Sequence, residues 1–356
     1  MMPSYEMGPI RPPSEGGALS LLIRLTRNCP WGRCRFCGGS LFRRNKFEIR
    51  KPDEIKRDID SIRQIADIFR SLSWQLGRGG VVDDVVGTVL AHNRPDLQKD
   101  PSFVSVFYWL YAGGRSAFLQ DADSLIMKSP DLVDAVSYLK ATLPSLERIT
   151  SYARAKSLYR KTPEELKQLR AAGLQRLHVG LETGDDDLLK VIDKGITAEQ
   201  HIAAGKKVKE AGFQLSLYIM PDLGGRAMSE QHAKNTALVL NAINPDYIRS
   251  RPFVPRPPTP MYADYQAGTI QLSSPYQRLK EIRMLVEGLD VTSRLCFDHF
   301  GNSWNDSSGQ PLFSRSYEGY KLPEEKQAVL DLNDQGLTLD ESVHVDVKEL
   351  MNVGHM

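Results

Sequence analysis

Little in this chain points outward. No apolar run approaches the roughly 18 residues of a membrane-spanning helix, so no membrane partner is expected. The N-terminal stretch "MMPSYEMGPIRPPSEGG" lacks the apolar core of a secretory signal, and a cytoplasmic location is the expectation. Net charge is only +2, which gives bulk electrostatics no preferred partner and makes nucleic acid an unexpected one. There is no internal repeat of fixed period. Cysteine is scarce, four in 356 residues, and in a reducing compartment clustered thiols are metal ligands or catalysts more often than disulfides.

What is present is a soluble globular composition, 41% hydrophobic and 25% charged, enough for one large domain. Three of the four cysteines (Cys29, Cys34 and Cys37) fall in one loop, "TRNCPWGRCRFCGG". Between Arg24 and Lys51 stand nine Arg or Lys residues, Arg43 and Arg44 among them, against one acid, Glu48. Such a face attracts an anionic substrate or an acidic redox partner, or is simply a solvated loop.

The rest alternates. "ALSLLIRLT" (18–26) reads as a strand. "KPDEIKRDIDSIRQIADIFRSL" reads as a helix with Pro52 at its start and an isoleucine stripe. Residues 77–114 are too long for a connection and read as a helical insertion. Strands at 116–120, 147–153, 174–182, 213–220 and 246–253 follow, each succeeded by a helical pattern. Six strand–helix units predict an α/β fold, a wound sheet or open barrel whose post-strand loops share one rim. The expected organisation is a leader at 1–17, a core at 18–290 and a C-terminal cap at 291–356.

Three close thiolates can hold zinc, an iron–sulfur cluster, or nothing. Structural zinc wants a fourth protein ligand, and Cys296 stands alone while His92 lies in the insertion. A [4Fe–4S] cluster accepts three thiolates if one iron is left for a non-protein ligand. With its aromatic Phe36 before Cys37 and its place after the first strand of six units, this loop resembles that of the radical SAM enzymes. The first gap holds four residues (Pro30, Trp31, Gly32, Arg33), where the family's commonest spacing has three.

The resemblance implies a partial (βα)6 TIM-type barrel, a [4Fe–4S] cluster on Cys29, Cys34 and Cys37, and S-adenosylmethionine chelating the open iron. One electron from a flavodoxin or ferredoxin-type donor then cleaves the sulfonium, giving methionine and a 5′-deoxyadenosyl radical that takes hydrogen from substrate. It also places Gln120, Asp121 and Asp123 where relatives bind the methionine amino group, although either Asp can instead cap a helix. Ser151 and Arg154 fall where relatives keep groups for the carboxylate and ribose. In "LHVGLETGDD" the apolar Leu177, Val179 and Leu181 alternate with His178, Gly180 and Glu182. Glu182 therefore points into the lumen, and the segment resembles the family's Gly-x-Glu-Ser/Thr-Gly. Tyr218 and Met220 end the fifth strand before "MPDLGG", similar to the family's turn near adenine, with Gly224 and Gly225. Phe36 completes the cofactor set.

Nothing here resembles the cobalamin domain, the auxiliary-cluster cysteines or the RNA-binding appendage that some relatives carry. In "RLCFDHFGNSW", Cys296 is either a buried apolar residue or a thiol that returns hydrogen to a substrate radical. Asp298, His299 and Asn302 are the candidates for substrate contact. Arg24, Arg249 and Arg251 in the lumen suggest an anionic substrate. The substrate itself is unknown. The alternative functions are a radical methyl- or methylthio-transferase, and a non-catalytic iron–sulfur or zinc accessory or sensor protein.

Overall fold

The computed structural model describes residues 2–9, 19–37 and 46–351. Residues 10–17 of the expected leader, and Arg43 and Arg44 of the basic stretch, lie outside the described residues. Eight strands form one sheet in sequence order: β1 (Leu21–Arg24), β2 (Ser116–Gln120), β3 (Arg148–Ala153), β4 (Leu174–Glu182), β5 (Gln214–Ile219), β6 (Tyr247–Ser250), β7 (Arg294–Cys296) and β8 (Tyr320–Lys321). β1 to β7 pair in parallel and β8 pairs antiparallel to β7. Among the described residues β1 and β8 are the two edges, so the sheet is an open, partial barrel. The expected α/β architecture is the one observed. A two-stranded ribbon, Thr26–Arg27 with Glu48–Ile49, brackets the cysteine loop.

Helices fill the crossovers: α1 (Pro52–Gln75), α2 (Asp84–Asn93), α3 (Pro101–Tyr111), α4 (Ser129–Thr142), α5 (Ala155–Arg160), α6 (Pro163–Ala172), α7 (Asp186–Val191), α8 (Ala198–Glu210), α9 (Gly225–Ile243), α10 (Pro260–Gln266), α11 (Pro275–Gly288), α12 (Lys326–Thr338) and α13 (Val347–Leu350). Local chemistry sets their ends. α1 starts on Pro52 with Asp53 and Glu54 in its first turn, where the helix dipole favours acids. Thr162 and Glu165 form a capping box on α6, which stops at Gly173 in the left-handed region.

Residues 77–114 contain α2 and α3, each capped by an aspartate: Asp83 accepts from Val85 and Val86, and Asp100 from Ser102 and Phe103. They pack on α1 through Phe69, whose ring lies 6.1 Å from Phe103 and 5.7 Å from Phe107. The C-terminal segment enters the sheet, since β7 pairs with β6 and sets Cys296 beside Arg249. No helix among the described residues is long and apolar enough to cross a membrane.

Register divides the strands into two faces. Leu119, Ser151, Leu177 and Leu215 form one row, turned toward the helices. On the other face the rings of Phe118, Tyr152, His178 and Tyr218 touch in succession across β2 to β5, with centroids 5.2 to 6.1 Å apart. This aromatic layer fills the lumen and forms a floor beneath the rim where the strands end.

Candidate active site

The cysteine loop leaves β1 through Asn28, whose φ of 68° turns the chain sharply. It is fastened to the far side of the rim. The Trp31 indole donates to the Asp193 carbonyl at 2.6 Å, the Arg35 amide to Ile192 at 2.9 Å, and the Met261 amide to Arg35 at 3.2 Å. The Arg33 and Arg154 guanidiniums stack on the Trp31 ring at 4.7 and 5.1 Å, a cation–π arrangement that stiffens the first gap. The loop thus lies between β1 and the turn that follows α7.

Cys29, Cys34 and Cys37 form no disulfide and are partly buried. Burial pushes the Cys37 thiol up to about 11, and the neighbouring Cys34 and Cys29 raise it further against Lys194. Burial likewise raises Cys34, opposed by Lys194 and Arg154. The three are near enough to repel one another as thiolates, so a cation among them would favour their charged forms. Among the described residues no three His, Cys, Asp or Glu side chains are arranged to hold a metal ion.

Beside the thiols stands a pair that joins two strand-end turns. Lys194 Nζ lies 2.7 Å from Glu182 Oε1, both side chains about nine-tenths buried, and the ammonium sits 5.5 Å from the Phe36 ring centroid. Burial lowers the lysine's pKa, but Glu182 and Cys34 more than offset this and it stays raised. Glu182 holds a φ of 63°, an uncommon conformation for a side chain-bearing residue. A register shift in the β4–β5 pairing falls between Gly180 and Glu182. A Cβ on Gly180 would stand 2.0 Å from Glu182 Oε1, so only glycine leaves the carboxylate its place.

A cavity of about 420 Å³ opens over the aromatic floor. It is lined by Phe36, Glu182, Tyr218, Met220 and His299 from the expected set, with Arg251, Arg256 and Phe300. Tyr218 donates or accepts at His178 Nδ1, 3.3 Å away. The His299 Nδ1 accepts from the Gly301 amide at 3.1 Å, which puts the ring proton on Nε2. Burial, then Arg251 and Arg256, lower His299 to about 3, so the imidazole is neutral.

Other expected residues sit elsewhere. The Gln120 amide is held by Gly8, accepting at 2.7 Å and donating at 3.1 Å. Asp121 is fully buried and ion-paired to Arg24 at 2.8 Å, and it also accepts from the Asn28 amide at 3.1 Å. Asp123 accepts from the Arg154 amide and the Ser157 hydroxyl at the start of α5, and burial pushes it up to about 6. It braces the start of α5 and does not line the cavity. Ser151 lies on the helix-facing row and donates to the Leu119 and Tyr152 carbonyls, which corrects its expected place at the mouth. Arg154 keeps to the cysteine loop and donates to the Lys194 carbonyl at 2.8 Å.

Cys296 takes the first of its two expected places, a buried residue. Its thiol donates to the Tyr317 carbonyl at 3.4 Å, burial pushes it up to about 12, and it does not line the cavity. Asp298 stands behind the wall, paired with Arg249 at 3.1 Å and Arg251 at 3.6 Å. Asn302 is bonded to Ser250. Gly224 lines a separate hollow behind the cysteine loop, with Arg35 and Met261. Sequence reasoning missed Lys194, Trp31 and Arg256.

A family model described as the Radical SAM superfamily matches residues 23–232, and the chain belongs to that superfamily. Its members are enzymes that use a [4Fe–4S] cluster with S-adenosylmethionine. Among curated proteins the chain is similar to the heme chaperone HemW of Bacillus subtilis, 23% identical over 210 residues, 58% of this chain and 50% of that protein. The chain thus spans half the length of this relative. Among solved structures it is similar to the archaeal Elp3 of Methanocaldococcus infernus (14% identity, TM-score 0.45, 68% of this chain and 61% of that one). It is also similar to the cobalamin-dependent radical enzyme OxsB (18% identity, TM-score 0.39, 61% and 26%).

The donor set fits the family's cluster. Three thiols share one loop, and three thiolates suit a [4Fe–4S] cluster whose fourth iron takes a non-protein ligand.

Proposed function

We propose that this chain is a radical SAM enzyme that cleaves S-adenosylmethionine reductively and abstracts hydrogen from a substrate held in the mouth cavity. The carrying observation is the placing of three cysteines in one loop, with Phe36 between the last two, against the buried Glu182–Lys194 pair, whose ammonium lies 5.5 Å from the Phe36 ring. When bound, the cluster supplies one electron from a flavodoxin or ferredoxin-type donor, turning the sulfonium into methionine and a 5′-deoxyadenosyl radical.

The chain's own residues do the rest. Cys29, Cys34 and Cys37 would hold the cluster. Glu182 accepts from the ammonium or the ribose hydroxyls of the sulfonium compound, while Lys194 and Arg154 are the cations beside Cys34 that suit its carboxylate. Phe36 and Met220 give the cavity an apolar wall, and the floor of Tyr152, His178 and Tyr218 excludes water from below.

The test is anaerobic reconstitution with iron and sulfide, followed by dithionite and S-adenosylmethionine. The expected product is 5′-deoxyadenosine. Homocysteine-containing products would favour the transferase reading, and neither product would favour an accessory protein.

A further inference from the structure

The cavity has two ends of different chemistry. Glu182 and Phe36 face the cysteine loop. At the other end Arg251 is the notable residue. Its guanidinium lies over the Tyr218 ring at 5.0 Å and lines the cavity. Its nearest anion, Asp298 Oδ2, is 3.6 Å away, beyond hydrogen-bond distance, and that oxygen accepts no hydrogen bond. Among the described residues, no side-chain N–H of Arg251 has an acceptor. The charge is held from behind by an ion pair, and the planar fork is left to the cavity.

His299 stands on the same wall with a matching donor. The Gly301 amide takes its Nδ1, leaving the Nε2 proton without a partner among the described residues. That orientation is itself built. The buried Arg278 donates to the Gly301 carbonyl at 2.9 Å, and Asn302 donates to the His299 carbonyl at 3.1 Å. Neither set of donors is shut away from the cavity, since no Arg251 or His299 atom is among the buried side-chain atoms without a partner, so both are open to a ligand that supplies acceptors. One guanidinium fork and one neutral N–H match a planar monoanion. Phe253 and Phe300 beside them offer apolar contact.

We infer that Arg251 and His299 form an oxyanion subsite that binds the carboxylate of an aromatic or apolar substrate, fixing it with its body toward the cysteine loop. The inference rests on the reading of this cavity as the place of radical chemistry, and names the substrate class for it. Arg251 and His299 are binding residues. Arg278 is a positioning residue that acts through Gly301.

The experiment is calorimetric titration of the anaerobically reconstituted holoprotein, with and without S-adenosylmethionine, using phenylacetate, phenyl phosphate and the neutral isostere 2-phenylacetamide. Phenylacetate is expected to bind more tightly than either. Arg251→Gln is expected to weaken phenylacetate about tenfold to a hundredfold and leave the amide nearly unchanged, with Arg251→Lys in between. His299→Leu should cost about tenfold, and His299→Gln, which keeps an N–H donor, less.

Equal binding of acid and amide, no binding of phenylacetate, or preference for the phosphate would overturn the assignment. So would an Arg251→Gln protein that loses S-adenosylmethionine affinity while keeping phenylacetate. The comparison of acid with amide on the unaltered protein needs no variant to fold. If no 5′-deoxyadenosine forms yet phenylacetate binding still follows Arg251, the radical reading falls and the subsite stands. Deoxyadenosine with acid and amide bound alike gives the reverse.

Discussion

At the ends of β1 and β2, Arg24, Gln120 and Asp121 form a polar group at the rim. At the ends of β4 to β6, Glu182, Tyr218 and Arg251 form another. The first group is closed on itself. Arg24 binds Asp121 and Glu6, Arg27 and Arg50 also pair with Glu6, and Gly8 takes the Gln120 amide. Glu6 and Gly8 of the N-terminal segment thus take up most of this group's hydrogen-bonding capacity, leaving Asp121 Oδ1 without a partner. The second group leaves an arginine fork and an imidazole N–H unfilled beside a cavity. Position at a strand end is therefore not enough to make a site. What matters is whether hydrogen-bonding capacity is already taken by the protein.

Substitutions should separate the two regions. Replacing Cys29, Cys34 or Cys37 with Ala is expected to have the largest effect, removing the iron–sulfur absorbance and lowering deoxyadenosine to background. On the closed side, Asp121→Ala removes one of the two carboxylates paired with Arg24 and should cost about 3 kcal/mol in denaturant unfolding. The loss should appear in stability first, with the Asn28 tether to the cysteine loop as the route to any change in the cluster spectrum. On the open side, Glu182→Gln keeps an acceptor for Lys194. It should cost only about 1 kcal/mol of stability but weaken S-adenosylmethionine by about tenfold or more. Equal profiles for these two variants would erase the distinction.

The pH response gives a smaller effect. Burial holds His299 at about 3 in the folded chain, against about 6.5 unfolded, so the native state binds fewer protons. Its contribution to stability is complete above the unfolded value and is lost as pH falls through the window toward 3. His299→Gln should flatten the acid limb of the stability curve there by up to about 1.4 kcal/mol per pH unit. Smallest of all, Cys296→Ala should leave deoxyadenosine and substrate turnover nearly unchanged, since the thiol reaches neither.

The parts legible in the sequence were those with a period or a cluster. Alternation in β4 gave Glu182 its side of the sheet, and three cysteines in nine residues marked the loop. Ser151 was misplaced because Thr150 and Tyr152 on either side of it are both amphipathic in "ERITSYA", which hides the parity that Leu177 makes plain. Asp121 read as a cofactor contact or a helix cap because its partner, Arg24, lies 97 residues away and meets it only through strand pairing. Lys194 follows the short α7 in an irregular turn, where no spacing rule predicts reach. β7 is three residues long, too short to announce itself within a polar tail.

The central claim is that the loop thiolates leave one iron open to a sulfonium ligand next to Glu182. Electron paramagnetic resonance of the dithionite-reduced, anaerobically reconstituted protein tests it most directly. The account predicts a [4Fe–4S] signal whose g values shift when S-adenosylmethionine is added, with the shift diminished in Glu182→Gln. A spectrum indifferent to the addition, or a metal held by four protein donors, would contradict it.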